Sequence, residues 1–497
     1  MRSLHKNVMA PNRRAFLKTA GASLAFSAVA GPAWAATPDV VSLERYQTAY
    51  RNQTDRGTCF AFATCAAMEA AYKRKYGLNL HLSEQYAFHI NKAFELYGDY
   101  STAKPAAHEN NSSYWGFQGS SDLVGKLAVC AIPEAAAAPY LTGSQMTALK
   151  NVTPTCGALD GNSTQEQLDA FEFLERHIPT RARHAARYRI AAWAALPSPP
   201  SVAQIEEVLA GGHEVVAGIV VKGEGHVTLI IGYDRRKQQW LMKNSWGEGK
   251  PRTWPYSTQI VGAAYLTDVV PPNAEPQKTA WWIGRWHMNH DGWHGDLVIR
   301  RTIDFRHPHG PTKLGNYYAG GKRFDVNGEP IDDGQGLRFW IADTTDRVKP
   351  GEPRGQEFTV YAFSSDPFNA AGLTTWNGTP FGVALSRNPL AIRPYRGFDP
   401  NAWCADWSVS CDGARGTLSL QGIAPVAGSY RTEKGDTFPV RGSLDAAHPH
   451  LLDLQIAAPG GDRHLRLAYH SKESEVFSGI IAWKDRTLGV SGIRQAA

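Results

Sequence analysis

Two stretches of about 100 residues near the C-terminus read as copies of each other, and this repeat restricts the fold of nearly half the chain. Asp291-Gly292-Trp293-His294-Gly295-Asp296-Leu297-Val298-Ile299 matches Asp412-Gly413-Ala414-Arg415-Gly416-Thr417-Leu418-Ser419-Leu420. Gly315-Asn316-Tyr317 matches Gly428-Ser429-Tyr430, and Phe324, Val326 and Gly328 match Phe438, Val440 and Gly442. Gly372, Trp376, Gly382, Val383 and Arg387 match Gly479, Trp483, Gly489, Val490 and Arg494. The order is kept and the spacing drifts by only a few residues. Copies this long exceed solenoid or propeller units. Each has the size of one small antiparallel barrel or sandwich, and short alternating segments between Gly turns suit that reading.

Composition narrows the class further. The 497 residues suggest about three domains. With 43% hydrophobic and 20% charged residues, wholesale disorder is excluded. A net charge of +6 over this length is too weak to indicate nucleic acid or a membrane surface as partner. Six cysteines make no disulfide scaffold, although Cys404 and Cys411 are expected to pair in an oxidising compartment. Pairing of Cys130 with Cys156 stays open. Cys65 lies about 9 Å along a helix from Cys59, too far for a disulfide, and reads as core. Trp281, Trp282, Trp286 and Trp293 are expected to fill a barrel interior rather than bind a sugar, and a carbohydrate or surface ligand of the β-domains stays an alternative. His287, His290 and His294 mix strand parity and read as a barrel rim. No metal motif or phosphate loop is present, so no cofactor and no metal are expected.

The first 35 residues read as an address. Asn12-Arg13-Arg14-Ala15-Phe16-Leu17-Lys18 precedes a short Ala/Gly-rich apolar stretch and Ala33-Trp34-Ala35. This resembles a twin-arginine export signal, which implies a periplasmic or extracellular protein. The stretch is too short to span a bilayer, and no later run is long enough, so no integral membrane segment is expected after signal removal.

The first half carries the chemistry. A helix is expected from Cys59 to Lys75, with Phe60, Ala63, Ala67 and Ala71 on one face, and another over Tyr86 to Glu95, capped by Ser83. Leu196-Pro197-Ser198-Pro199-Pro200-Ser201 breaks the helical part from a β-rich part containing Val215–Val221, Val227–Tyr233 and Trp240–Lys243. Val269 to Thr279, with three prolines, reads as a flexible linker. In Gln53-Thr54-Asp55-Arg56-Gly57-Thr58-Cys59 a thiol opens a helix, where the helix dipole should lower its pKa. Gln53 is placed to donate to an oxyanion beside that thiol. Gly225-His226 opens an apolar strand, and Asn244-Ser245-Trp246-Gly247 follows the next one. An Asn amide can fix the imidazole tautomer, and a Trp can shield that bond from water.

These four motifs, in the order Gln, Cys, His, Asn, resemble the papain family of cysteine peptidases, over about residues 45–268. Leu82-Ser83-Glu84-Gln85 is similar to a helix start of the family, and Arg56-Gly57-Thr58-Cys59 looks like its bacterial branch. The resemblance implies Cys59 as nucleophile, His226 as general acid/base, Asn244 as its orienting group and Gln53 in the oxyanion hole. Gly119, Gly225 and Trp246 would line the substrate cleft, and the partner would be a peptide or protein. Phe60 replaces the family's Trp after the nucleophile, Arg56 replaces a disulfide cysteine, and Gln118-Gly119-Ser120 stands in for the Cys-Asn-Gly-Gly motif of the cleft. The C-terminal copies are similar, at fold level only, to avidin-like and lipocalin-like barrels.

The expected fold class is an α+β papain-like two-lobed domain followed by two all-β antiparallel barrel-like domains. The organisation is a signal at 1–35, a peptidase domain at 36–268, a linker at 269–280, one repeat at 281–388, a linker at 389–401 and a second repeat at 402–497. Cleavage after Ala35 leaves 23 residues before Cys59, too few for an inhibitory propeptide domain. A barrel packed beside the cleft is therefore expected to limit access or select substrate, with barrels tethered on the 269–279 linker as substrate- or surface-binding modules as the alternative. Two other functions compete: a papain-fold hydrolase or transferase acting on a non-protein amide, and a degenerate binding protein. The complete Gln53/Cys59/His226/Asn244 set counts against the last.

Overall fold

The structure is a computed structural model and describes residues 38–96, 120–152, 164–247, 249–305, 308, 310–342, 355–395 and 397–496. The export signal, Gly119 and Cys156 lie outside the described residues.

The first half runs β1 (Val40–Ser42), α1 (Cys59–Tyr76), α2 (Glu84–Leu96), α3 (Ser120–Val129), α4 (Gly143–Val152), α5 (Gln165–Glu172), α6 (Thr180–Ala185), β2 (Ile190–Ala195), α7 (Val202–Ala210), β3 (Val215–Val221), β4 (Glu224–Asp234), β5 (Gln239–Lys243), β6 (Arg252–Pro255) and β7 (Ile260–Val269). Alanine, with no side-chain entropy to lose, makes α1 a strong helix. It ends at Gly77, whose left-handed φ of 71° lets its N–H reach Lys73 O at 3.0 Å. The sequence reading set Phe60, Ala63, Ala67 and Ala71 on one face of α1. The structure buries every residue from Cys59 to Tyr72, because α1 runs between the other helices and the sheet. Ser83 caps α2 through the Tyr86 N–H, at 3.0 Å. The strands form one antiparallel sheet in the order β2-β7-β3-β4-β5-β6, with β1 added to β4. The helical lobe and this sheet form one α+β unit.

The second half is two closed antiparallel barrels of eight strands each. The first contains β8–β15 (Gly284–His290, Trp293–Ile299, Thr312–Ala319, Lys322–Ile331, Gly336–Ala342, Gln356–Ala362, Asn369–Trp376 and Thr379–Ser386). The second contains β16–β23 (Asp406–Cys411, Ala414–Gln421, Val426–Thr432, Thr437–Leu444, Leu451–Ile456, Arg463–Tyr469, Val476–Trp483 and Arg486–Arg494). In both, sequential strands pair and the last returns to the first. Asp291-Gly292 and Asp412-Gly413 make equivalent tight turns with φ of 55° and 89°, and 52° and 86°. Positive φ at both central residues matches the twist of a two-residue hairpin. Trp376 and Trp483 each end the seventh strand of their barrel, and Tyr317 and Tyr430 lie on the third. The copies also share a pair of tryptophans four apart. Trp286 Nε1 donates to Trp282 O at 2.8 Å, and Trp407 Nε1 donates to Trp403 O at 3.1 Å.

Several expectations need correction. Trp281, Trp282 and Trp286 share the core cluster of the first barrel, Trp281 also stacking on His184 of α6 at 4.2 Å, but Trp293 is 64% exposed. Cys404 and Cys411 are free thiols. Cys404 lies two residues before β16 and Cys411 is its last residue, and the five steps of the strand alone span about 17 Å, beyond the reach of a disulfide. Cys130 is also a free thiol. The supposed flexible linker is fastened down. Val270 N donates to Arg189 O at 3.0 Å, Tyr72 Oη donates to Val270 O at 2.8 Å, and Gln277 takes the N–H of Ala131 at 2.6 Å. Barrel one meets the helical lobe through Arg300, which donates from Nε to Asp169 Oδ1 at 2.8 Å, and through the Phe94–Phe305 ring pair at 5.2 Å. Barrel two meets barrel one where Ser471 Oγ donates to Asp291 Oδ2 at 2.6 Å and Glu473 faces His294 at 3.0 Å. Among the described residues, no helix is long and apolar enough to cross a membrane.

Candidate active site

Cys59 is the first residue of α1, where backbone N–H groups lack helical acceptors. Its sulfur also accepts the N–H of Val227, at 3.4 Å, from β4. This contact brings together residues 168 apart in the chain. The β3–β4 hairpin turns at Lys222-Gly223, with φ of 51° and 83°, and pairs Ile219 with His226. His226 is therefore the third residue of its strand rather than its opening residue.

Asn244 follows β5, which pairs with β4 through Leu229 and Lys243. This register sets His226 Nε2 3.0 Å from Asn244 Oδ1. An amide oxygen only accepts, so Nε2 carries the proton and Nδ1 is left for the thiol. Thr228, two residues beyond His226 and on the same strand face, donates to the same oxygen at 2.9 Å. The motif reading missed Thr228, although strand alternation from His226 would have marked it. Trp246 stacks on the imidazole with ring centroids 5.1 Å apart, and Arg252 lies 4.6 Å over the Trp246 ring. Trp246 thus covers the His226–Asn244 bond. Gly225 is exposed next to His226.

Gln53 reaches the same place by a short backbone pairing. Its N–H donates to Ser245 O at 2.8 Å, and Gly247 N donates to Arg51 O at 3.0 Å. Ser245 Oγ donates to Gln53 Oε1, and Gln53 Nε2 donates to Arg56 O at 2.7 Å. One Nε2 hydrogen is thereby committed, and the second can serve an oxyanion.

Arg56 holds this loop. The side chain is buried, donates to Gln85 Oε1 at 2.8 Å and to Leu141 O, and lies 4.7 and 4.8 Å from the ring centroids of Phe88 and Tyr140. Tyr140 Oη donates to Gln53 O at 2.7 Å and accepts from Thr58 Oγ1 at 2.8 Å. A buried cation between two rings thus ties the loop where the resemblance calls for a disulfide cysteine.

The thiol differs from its expected electrostatics. Burial pushes the Cys59 pKa above its ordinary value, and the N–H groups of Val227, Phe60 and Cys59 offset this only in part. Burial likewise lowers His226, against the hydrogen bond to Asn244, which raises it. At this depth desolvation outweighs the helix dipole. The three rim histidines turn to separate partners: His287 to Asp296 at 2.8 Å, His290 to Tyr317 at 3.2 Å and His294 to Glu473.

No protein-family model matches the chain. Among curated proteins it is similar to cysteine proteinase 3 of Solanum lycopersicum, 26% identical over 207 residues, or 38% of this chain and 47% of that protein. The chain is similar to plant papain-like cysteine proteases. It spans about half the length of the curated relative it matches. Solved structures similar to it include the Carica candamarcensis cysteine protease CMS1MS2, 18% identical with a TM-score of 0.30, and the bromelain protease of Ananas comosus, 19% identical with a TM-score of 0.28. Each match covers 46% of this chain and 99% of the other.

Proposed function

We propose that the chain is an exported cysteine peptidase that cleaves peptide bonds in peptide or protein substrates. The observation that carries the reading is the His226 Nε2 bond to Asn244 under Trp246, with the neighbouring Val227 N–H on the Cys59 sulfur. In the first step His226 Nδ1 takes the Cys59 proton and the sulfur attacks the scissile carbonyl carbon. The resulting oxyanion meets the Cys59 N–H and the second Nε2 hydrogen of Gln53. The imidazolium then gives its proton to the leaving amine, leaving a thioester on Cys59. Water, deprotonated by His226, attacks the thioester and releases the acid, and the thiol regains its proton. Asn244 acts by holding the tautomer, and Thr228 acts by holding Asn244.

Cys59→Ala tests this reading. The variant should keep the circular dichroism of the parent and lose turnover of a peptide library, and a thiol-directed peptide epoxide should label the parent at Cys59 alone. Full peptidase activity in Cys59→Ala would overturn the assignment.

A further inference from the structure

Inside the helical lobe, His89 of α2, Glu172 at the end of α5 and His177 in the turn before α6 converge. Their candidate donor atoms all lie within 4.8 Å of one another. Glu172 Oε2 is 2.9 Å from His89 Nδ1 and 3.9 Å from His177 Nδ1. All three residues are between 1 and 3% exposed. The cluster does not satisfy itself: Oε1 of Glu172 and both ring nitrogens of His177 are buried without a hydrogen bond of good geometry, the His177 ring having only a marginal contact with the Phe171 backbone. Buried polar atoms normally find partners, so three orphans at one point call for an occupant.

We propose that His89, Glu172 and His177 form a buried site for a divalent transition-metal ion, with Zn²⁺ the best chemical fit. Two imidazoles and one carboxylate are a zinc donor set, whereas Ca²⁺ and Mg²⁺ require oxygen ligands. Donor separations of a tetrahedral zinc site are about 3.4 Å, from Zn–N and Zn–O bonds of about 2.1 Å, which falls between the observed contacts. Arg183 Nη1 lies 3.4 Å from His89 Nε2, which leaves the His89 proton on Nδ1, facing Glu172. Metal binding at Nδ1 moves that proton to Nε2, so the imidazole stays neutral with no net proton released, and the long Arg183 contact gives way to the new Nε2–H. Arg183 and Lys92 act on the cluster as cations, and the one further carboxylate that acts on it, Asp169, is paired with Arg300, so the cluster holds no surplus negative charge and the affinity should fall below that of thiolate sites.

The position suggests a structural role. Asp169 lies one turn before Glu172 on α5 and binds Arg300 of barrel one. An ion joining α5 to α2 and to the following turn would brace the seat of that barrel.

The test uses the full chain carrying Cys59→Ala, so that the active-site thiol takes no metal. The protein is stripped with a chelator, dialysed against Zn²⁺ and then against metal-free buffer. We expect about one equivalent retained, and a melting temperature raised by several degrees at excess Zn²⁺. Adding Glu172→Gln or His177→Phe should remove both effects. His177→Phe places an apolar ring beside Phe171, whose ring centroid lies 4.7 Å from that of His177. His177→Cys should restore retention, and Co²⁺ should then give a thiolate charge-transfer band absent from the parent. If His177→Phe fails to fold, Glu172→Gln and His177→Cys decide. No retained Zn²⁺ in the parent, or equal retention in Glu172→Gln, would overturn the site.

Discussion

The protonation of each of the two side chains proposed to react is set by its depth. Burial lowers His226 below 6.5 and raises Cys59 above 9.0, so the form in which the pair shares one proton spans the interval between. Below that interval both groups are protonated and the nucleophile is lost. Above it both are deprotonated and the leaving amine has no acid. The profile of kcat/KM against pH should therefore be a broad bell, with its acid limb below pH 6.5 and its alkaline limb above pH 9.0. An acid limb above pH 6.5 would contradict the effect of burial. Thr228 offers a second prediction at this scale. Losing one neutral hydrogen bond to Asn244 Oδ1 costs about 1 kcal/mol, so Thr228→Val should lower kcat about fivefold with little change in KM, and Thr228→Ser should keep most of it.

At the scale of elements, the site depends on how a helix start, a hairpin and a strand end are joined. The loop before α1 has no regular structure of its own and is positioned by Arg56, Tyr140 and the pairing of residues 51–53 with 245–247. Arg56→Met keeps the stem but removes the charge, leaving Gln85 Oε1 and Leu141 O without this donor. The expected loss of stability is about 2–3 kcal/mol, read by urea unfolding. Activity should fall about tenfold, since Gln53 and Cys59 share this loop and small displacements are costly. Stability and activity both at parental level would show that the loop holds itself.

At the scale of the whole molecule, barrel one is seated on the helical lobe by buried contacts. Arg300 is 1% exposed and so is Asp169, and removing one partner leaves an uncompensated buried charge. Arg300→Met should destabilise the chain by about 3–5 kcal/mol, visible in calorimetry. Adding Asp169→Leu should recover most of that loss, because an apolar pair has no charge to desolvate. The contacts of barrel one fall on residues such as Phe94, Asp169 and His184, while Cys59, His226 and Asn244 are positioned by α1, β4 and the end of β5.

The sequence alone contained the two β repeats, because Gly turns and alternating apolar residues follow local rules. It also contained the order Gln53, Cys59, His226, Asn244, because chemistry restricts those residue types. It pointed to the type of the main helices and strands of the first half for the same reason of period. It did not contain depth. Whether Cys59 is raised or lowered depends on how much protein surrounds it, and the buried flank of α1 opposite Phe60 and Ala63 depends on what packs there. Cys404 and Cys411 looked close along the chain, yet an extended strand separates them. His89, Glu172 and His177 share no spacing that a motif could reveal, since they come from separate elements and meet only when α2, α5 and the turn before α6 pack together.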